Sequence, residues 1–352
     1  MELFQNKVVL APMVRISTLP TRIIAREYGA NLCFSPETVS YSIINSNLQH
    51  NSELDCWDLI QNKDKKSNLL FRTCKEDPDV IFQIAAPDAE KALKAAEVIS
   101  PVVAAIDLNC GCPKKFSTKG EMGAALLKKP EVIADIISTL KRNINKPITC
   151  KIRILNTDKE TVELVQMIEK AGANALTVHG RMVHERPREK AHWDRIKTVV
   201  ENVQIPVIAN GSVSSFDDIE LIKNQTKASS VMIGKAAQDN VSVFRKEGLL
   251  NSYSVAKRYV QIAKKWNYPP KNVNFFLVKL FTNHSDSLKV NKIISQSKNL
   301  NDLFDYFNSQ NDIIDNQEKI IRKREKNEEN ENNNENINID ENLEEKKRFK
   351  ND

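Results

Sequence analysis

Glycine is scarce in this chain, 9 in 352 residues, and no GxGxxG occurs, so a dinucleotide held in Rossmann fashion is not expected. Long hydrophobic runs are also lacking. None approaches the roughly 20 residues that a membrane-spanning helix needs, so no membrane partner is expected. Residues 1–6 carry neither the basic nor the apolar region of a secretory signal. The 6 cysteines lie mostly inside apolar stretches, which suits reduced thiols in a cytoplasmic protein better than a disulfide framework. Cys33, Cys56, Cys74 and Cys150 read as core residues. Cys110-x-Cys112 has an unusual spacing for zinc and no second Cys or His pair nearby, so no metal is expected. Charge of one sign does not dominate either. The net charge is +6; from Gln317 onward 9 Lys and Arg face 11 Asp and Glu, which leaves 43 against 35 before it, or +8. A modestly basic body permits a polyanionic partner without requiring one.

What the chain does have is a run of short apolar strands, at 8–12, 31–35, 80–84, 104–109, 147–153, 175–179, 206–210 and 230–234. Continuous apolar runs of this length suit parallel strands covered on both faces. Helices fall between them with their own end signals. Thr157-Asp158-Lys159-Glu160 reads as a capping box opening a helix that stops at Gly172, and Pro20 lies early in another that ends at Gly29. Eight β-then-α units over about 240 residues predict a (β/α)8 TIM barrel, with a doubly wound sheet as the alternative. After residue 240 the spacing is helical only, at 255–266, 275–281 and 300–307, which predicts a small helical domain over 241–316 behind a barrel of 1–240. Lys257, Arg258, Lys264 and Lys265 recur on the first of these helices and read as a solvated face. From 317 to 352 the chain is almost wholly Glu, Asn and Lys, too polar to bury a core, and reads as a disordered tail.

Polar residues gather at the carboxyl ends of the strands, where such barrels keep their active face: Gln83, Asn109, Lys151, Arg153, His179 and Asn210. Lys151 and Arg153 are two apart on one strand and point to the same side, toward an anion or an electron-rich ring. Two of the few glycines end the last strands, in Asn210-Gly211-Ser212 and Gly234-Lys235, where barrels commonly hold a phosphate on backbone N–H groups. The segment Asp107-Leu108-Asn109-Cys110-Gly111-Cys112-Pro113 begins as a strand and ends in a turn, so Cys112 is offered to a ligand.

Asn109-x-Gly111-Cys112-Pro113 followed by Met122-Gly123-Ala124-Ala125-Leu126-Leu127 resembles the tRNA-dihydrouridine synthases. So do Ala11-Pro12-Met13-Val14, Lys151-Ile152-Arg153, Val178-His179-Gly180-Arg181 and Ile208-Ala209-Asn210-Gly211. The run 108–119 and the stretch 186–194 look like the eukaryotic cytosolic branch named for uridine 20 of the D-loop. The resemblance runs to about residue 310, and the order and spacing of its motifs are specific together. It implies an FMN-dependent barrel that uses NADPH to reduce the C5=C6 bond of a tRNA uridine to 5,6-dihydrouridine. Flavin N5 would give hydride to C6 and Cys112 would protonate C5. It places Pro12, Met13, Val14, Gln83, Lys151 and His179 around the flavin and Asn210, Gly211, Ser212, Gly234 and Lys235 at its phosphate. It places Asn109, Arg153, Arg181 and Arg186 toward the substrate, with His184 and Arg188 as further RNA contacts and tRNA as the partner of a monomer. Ser212 departs from the Gly or Asp expected there, and Glu121 from Gly. The rival readings are another FMN barrel acting on a small pyrimidine, and a tRNA-binding protein without chemistry.

Overall fold

The computed structural model describes residues 2–63 and 66–310; the tail expected at 317–352 lies outside the described residues, as do 311–316. The first half of the chain runs β1 (Val8–Leu10), α1 (Leu19–Glu27), β2 (Leu32–Cys33), β3 (Thr38–Val39), α2 (Ser40–Ile44), β4 (Asn47–Asn51), β5 (Cys56–Lys63), β6 (Lys66–Cys74), β7 (Ile81–Ala85), α3 (Ala89–Ile99), β8 (Ala105–Asn109), α4 (Lys115–Thr118) and α5 (Pro130–Asn143). Then come β9 (Ile148–Arg153), α6 (Asp158–Lys170), β10 (Ala175–His179), α7 (Trp193–Glu201), β11 (Val207–Asn210), α8 (Asp217–Thr226), β12 (Ser230–Ile233) and α9 (Lys235–Asp239). Four helices follow: α10 (Ser252–Lys265), α11 (Pro270–Leu280), α12 (Ser287–Gln296) and α13 (Leu300–Asn308).

Eight strands make the barrel. The parallel ladder runs β2-β1-β12-β11-β10-β9-β8-β7, with the two-residue β3 also pairing β7. It closes where Phe34, just past β2, bridges Ile81 in parallel and Ser35 N donates to the Ile81 carbonyl at 2.8 Å. The expected (β/α)8 architecture is therefore present, with the eight strands where the apolar runs lie. Period-two alternation sorts the strand residues. Val9, Ala11, Leu32, Phe34, Ile81, Ala105, Ala175, Ile208 and Met232 pack together inside the barrel, with Phe4 as a plug at its amino end. Their strand neighbours face the helices. Continuing inward along the same parity puts Gln83, Asp107, Asn109, Thr149, Lys151, Thr177, His179 and Asn210 in the upper half of the lumen. Thr157 and Glu160 form the expected capping box at α6, and Gly29 ends α1 at φ +112°.

One element was not anticipated from the sequence. Between β3 and β7 the chain builds a separate antiparallel sheet, β4-β5-β6, with a register shift at Leu59/Ile60. The alternation in Leu48-Gln49-His50 and Cys56-Trp57-Asp58-Leu59 was the available signal. The sheet is tied down by two buried ion pairs, Arg22–Asp77 at 2.8 Å and Arg72–Asp58 at 2.5 Å. Arg72 Nη1 also donates to the Trp266 carbonyl, just past α10, so the insertion bridges barrel and C-terminal helices. Those helices share one hydrophobic cluster with the outer layer of the barrel; Tyr253, Tyr259, Phe276, Phe281 and Phe307 are fully buried in it. No helix among the described residues is long and apolar enough to cross a membrane.

Candidate active site

Parallel pairing aligns the polar strand ends. Gln83 stands opposite Asp107, Asn109 opposite Lys151, Arg153 opposite His179, and His179 opposite Asn210. Two cavities open at this end of the barrel. One of about 410 Å³ is lined by Pro12, Met13, Val14, Glu37, Gln83, Asn109, Cys112, Lys151, Arg153 and His179, with Phe275 and Lys279 reaching in from α11. The other, about 1110 Å³, is lined by His179, Arg181, Asn210, Gly211, Ser212, Gly234 and Lys235. His179 borders both, so the two adjoin at its imidazole, one beside the glycine loops and the other beside the thiol.

A hydrogen-bond chain sets the thiol loop. Asn109 Oδ1 accepts from the backbone N–H groups of Gly111 and Cys112 at 2.9 and 3.0 Å. Its Nδ2 donates to Gln83 Oε1 at 3.0 Å, and Gln83 Nε2 donates to Asp107 Oδ2 at 2.8 Å. Thr149 Oγ1 donates to Asp107 Oδ1 at 2.6 Å. Gln83 and Asn109 thus act on the loop backbone through both ends of their amides. Arg153 braces the loop from the side, donating from Nε to the Gly111 carbonyl at 3.0 Å. Gly123, at φ +60°, lets the following segment come close; a Cβ there would lie 2.4 Å from Ser117 Oγ and 2.7 Å from the Cys112 carbonyl oxygen.

Asp107 is fully enclosed, and burial pushes its carboxyl up to about 6 despite donors from Thr149 and Gln83. The unfolded chain loses this proton near pH 4, so the group favours the fold below pH 4, and that contribution fades as pH rises to about 6. About two units correspond to about 3 kcal/mol. Asp107→Asn cannot ionise, so the stability gap between parent and variant is expected to shift by about that amount between pH 4 and 7. Urea unfolding across the range measures it; parallel pH profiles would refute the assignment.

The cations are crowded. Lys151 is pushed down to about 8 by burial and then by Arg153, and its Nζ donates to Asn210 Oδ1 at 3.1 Å. Burial, Lys151, Arg153 and Arg181 together hold His179 well below its ordinary value, so its imidazole is neutral. Arg181 turns inward. It is 8% exposed, donates to the carbonyls of Glu189 and Pro187 and to Ser212 Oγ, and lies 3.1 Å from His179 Nε2. It knits the loop after β10 to the loop after β11. Arg186, His184 and Arg188 remain exposed on that loop. Lys235 lines the same cavity as Gly211 and pairs with Asp239, one turn along α9.

Gly211 takes φ +114°, and a Cβ there would lie 2.9 Å from both His179 Cδ2 and Ala191 Cβ. Ser212 and Glu121, the two positions where the sequence departs from the family pattern, both take φ +57°. Left-handed backbone is where glycine is cheapest, which explains why it is usual there. Ser212 is compensated by the bonds its hydroxyl accepts from Ala191 N and Arg181, and Glu121 by an ion pair with Lys129 at 2.7 Å.

Sequence reasoning missed Glu37. It sits in the short turn between β2 and β3, lines the same cavity as Cys112, and its carboxyl accepts a hydrogen bond from Ser117 Oγ at 3.1 Å. A carboxylate preceding its partner by 75 residues leaves no local pattern. No cluster of three or more His, Cys, Asp or Glu able to hold a metal occurs among the described residues.

Fold and site together define a (β/α)8-barrel protein with an enzyme-type mouth, a cationic cleft leading to one accessible thiol. A family model described as Dihydrouridine synthase (Dus) matches residues 9–348, and the chain belongs to that family. It is 38% identical over 271 residues to the tRNA-dihydrouridine(20) synthase [NAD(P)+] of Schizosaccharomyces pombe, covering 74% of this chain and 56% of that protein. It is 35% identical over 239 residues to the human tRNA-dihydrouridine(20a/20b) synthase [NAD(P)+]-like protein, covering 67% of this chain and 70% of the relative. The tRNA-dihydrouridine(20) synthase [NAD(P)+] of Saccharomyces cerevisiae is 33% identical over 299 residues, with 79% and 77% covered. The chain thus spans little more than half the length of the fission-yeast protein.

Proposed function

We propose that this protein reduces the C5=C6 bond of a tRNA uridine, at position 20 of the D-loop, to 5,6-dihydrouridine. The observation that carries the reading is the pair of adjoining cavities that meet at His179, one lined by the Gly211 and Gly234 loops and the other by Lys151 and Cys112. Family membership and the names of the relatives support it.

The pair fits FMN. A Cβ at Gly234 would meet only Ala11 Cβ, at 3.5 Å, so this loop leaves room for a backbone-bound phosphate, while the missing Cβ at Gly211 lets its loop pack against His179 and Ala191 beside the same cleft. Burial and Arg153 disfavour the charge on Lys151, burial and Arg181 disfavour that on Arg153, and an anionic ring or phosphate beside them relieves this. Bound there and reduced by NADPH, FMN supplies the hydride taken up at C6. Lys151 and the neutral His179 hold the cofactor at its polar edge, and Pro12, Met13 and Val14 give it an apolar wall. Asn210, Gly211, Ser212 and Gly234 hold the phosphate, with Ser212 and Arg181 securing the loop. Cys112 gives its proton to C5: the S–H bond breaks and a C–H bond forms. Arg153 and Asn109 keep the thiol loop in register with the base.

The target base leaves its stack to reach this depth, at a cost of a few kcal/mol that is least in an irregular loop. Residues 241–310 form a helical RNA-binding domain in this reading, since α11 brings Phe275 and Lys279 to the mouth. Exposed Phe116, with Lys114, Lys115 and Lys119 around it, and Arg186 and Arg188 across the cleft, provide stacking and phosphate contacts. Such binding weakens as salt rises.

The absorbance spectrum of the purified protein tests the proposal. A yellow protein is expected, bleached by NADPH and reoxidised by unmodified tRNA but not by free uracil or orotate. A colourless protein that cannot be reconstituted with FMN, yet binds tRNA, would overturn it.

A further inference from the structure

We infer that Glu37 is a positioning residue for Cys112, whose carboxylate holds the sulfur as a protonated thiol and aims it across the barrel mouth. The chemical use of that proton rests on the synthase reading; the state of the thiol does not.

The geometry around the sulfur is built from two sides. From below, Asn109 Oδ1 fixes the Gly111 and Cys112 backbone. From the side, Glu37 faces the same cavity as the thiol, and its carboxylate is itself held by Ser117 Oγ at 3.1 Å. Ser117 is fully buried beneath Gly123, so the carboxylate cannot swing away without disturbing that packing. The Glu37 turn is anchored in its turn to the barrel, since Ser35 Oγ accepts from Gln83 N at 3.0 Å.

The charges facing Cys112 make this carboxylate necessary. Lys114 approaches from its own loop, Lys151 and Arg153 from β9, and Lys279 lines the same cavity from α11; His179 is neutral. A thiol among so many cations ordinarily ionises near or below neutral pH, and a thiolate has no proton to give. Here burial, and then the Glu37 charge, push the thiol up to about 11. Burial alone acts on every enclosed thiol. Among the described residues that line this cavity Glu37 is the one carboxylate, and it offsets the cations that the cofactor and RNA require. Burial likewise raises the Glu37 carboxyl, while Cys112, Ser117, Lys114 and Lys151 favour its charged form.

The test is the pH dependence of Cys112 alkylation by iodoacetamide in the protein as purified, read peptide by peptide by mass spectrometry. Alkylation follows the thiolate fraction, so each unit of pKa is tenfold in rate well below the pKa. In Glu37→Gln, alkylation at pH 8 is expected to rise about tenfold, and in Glu37→Asp to stay near the parent. Cys74, half-buried and remote from the mouth, is the internal control and should not change. A Glu37→Gln profile superimposable on the parent's overturns the inference, and so does a rise shared equally by Cys74. The measurement needs neither tRNA nor turnover. Loss of the synthase reading therefore leaves a positive result standing, and an active enzyme with an unshifted thiol removes only the role of Glu37.

Discussion

Cys112→Ala is expected to lower dihydrouridine formation in tRNA by about 10²- to 10⁴-fold, the usual contribution of a positioned acid. Bleaching of the flavin by NADPH should stay within about twofold of the parent. The split follows from the layout. The residues proposed to hold the cofactor lie on the loop after β1, on β9 and β10, at the end of β11 and on the loops after β11 and β12, and the hydrogen bonds that fix the loop around Cys112 run through its backbone. Removing the sulfur leaves both intact. Cys112→Ser is expected to be almost as slow, because a hydroxyl at the same place is a far weaker acid. Single-turnover oxidation of reduced enzyme by unmodified tRNA, with product counted by mass spectrometry of nucleosides, measures both variants. Turnover within threefold of the parent would show that another group carries the proton.

The second large effect concerns the fold. Asp77→Ala is expected to destabilise the protein by about 3–5 kcal/mol, because it strands a buried guanidinium. Asp77 accepts from Arg22 Nε at 3.0 Å, from Arg22 Nη2 at 2.8 Å and from Thr73 Oγ1 at 3.0 Å. Arg22 is fully buried, with its remaining donors on the Ser17 and Arg72 carbonyls and its guanidinium 5.0 Å from the centre of the Phe71 ring. It therefore joins α1, β6 and the turn before β7, while Arg72 continues the chain of bonds to Trp266 beyond α10. Urea unfolding should show the loss, and a double variant replacing Arg22 by Met as well should recover part of it, since a buried pair can give way to apolar packing. A loss below about 1 kcal/mol in Asp77→Ala would mean that water reaches the guanidinium and the pair is not sealed.

Much of the barrel was legible from local pattern. Strands buried on both faces must be continuously apolar, and only their carboxyl ends can carry polar side chains into the lumen. The same rule exposed Lys151, Arg153, His179 and Asn210 as neighbours, because parallel strands at aligned register put like positions side by side. Gly29, Pro20 and the Thr157–Glu160 box marked helix ends for reasons confined to a few residues.

Tertiary structure decided the rest. Whether an arginine faces RNA or its own protein depends on which carbonyls the next loop offers, and Arg181 found those of Pro187 and Glu189. Lys235 found an ion-pair partner in Asp239, one turn along its helix, while still lining the cleft with Gly211. The antiparallel insertion between β3 and β7 is tied to α1 by the buried Arg22–Asp77 pair, whose partners lie 55 residues apart in the chain. Glu37 became a partner of Cys112 only when the closing of the barrel laid the turn after β2 beside the loop after β8. By itself the sequence determined the barrel and which strand ends bear its chemistry, because period and burial act over a few residues. The protonation of those groups depends on charges that long-range folding brings together, so the three-dimensional structure alone settled it.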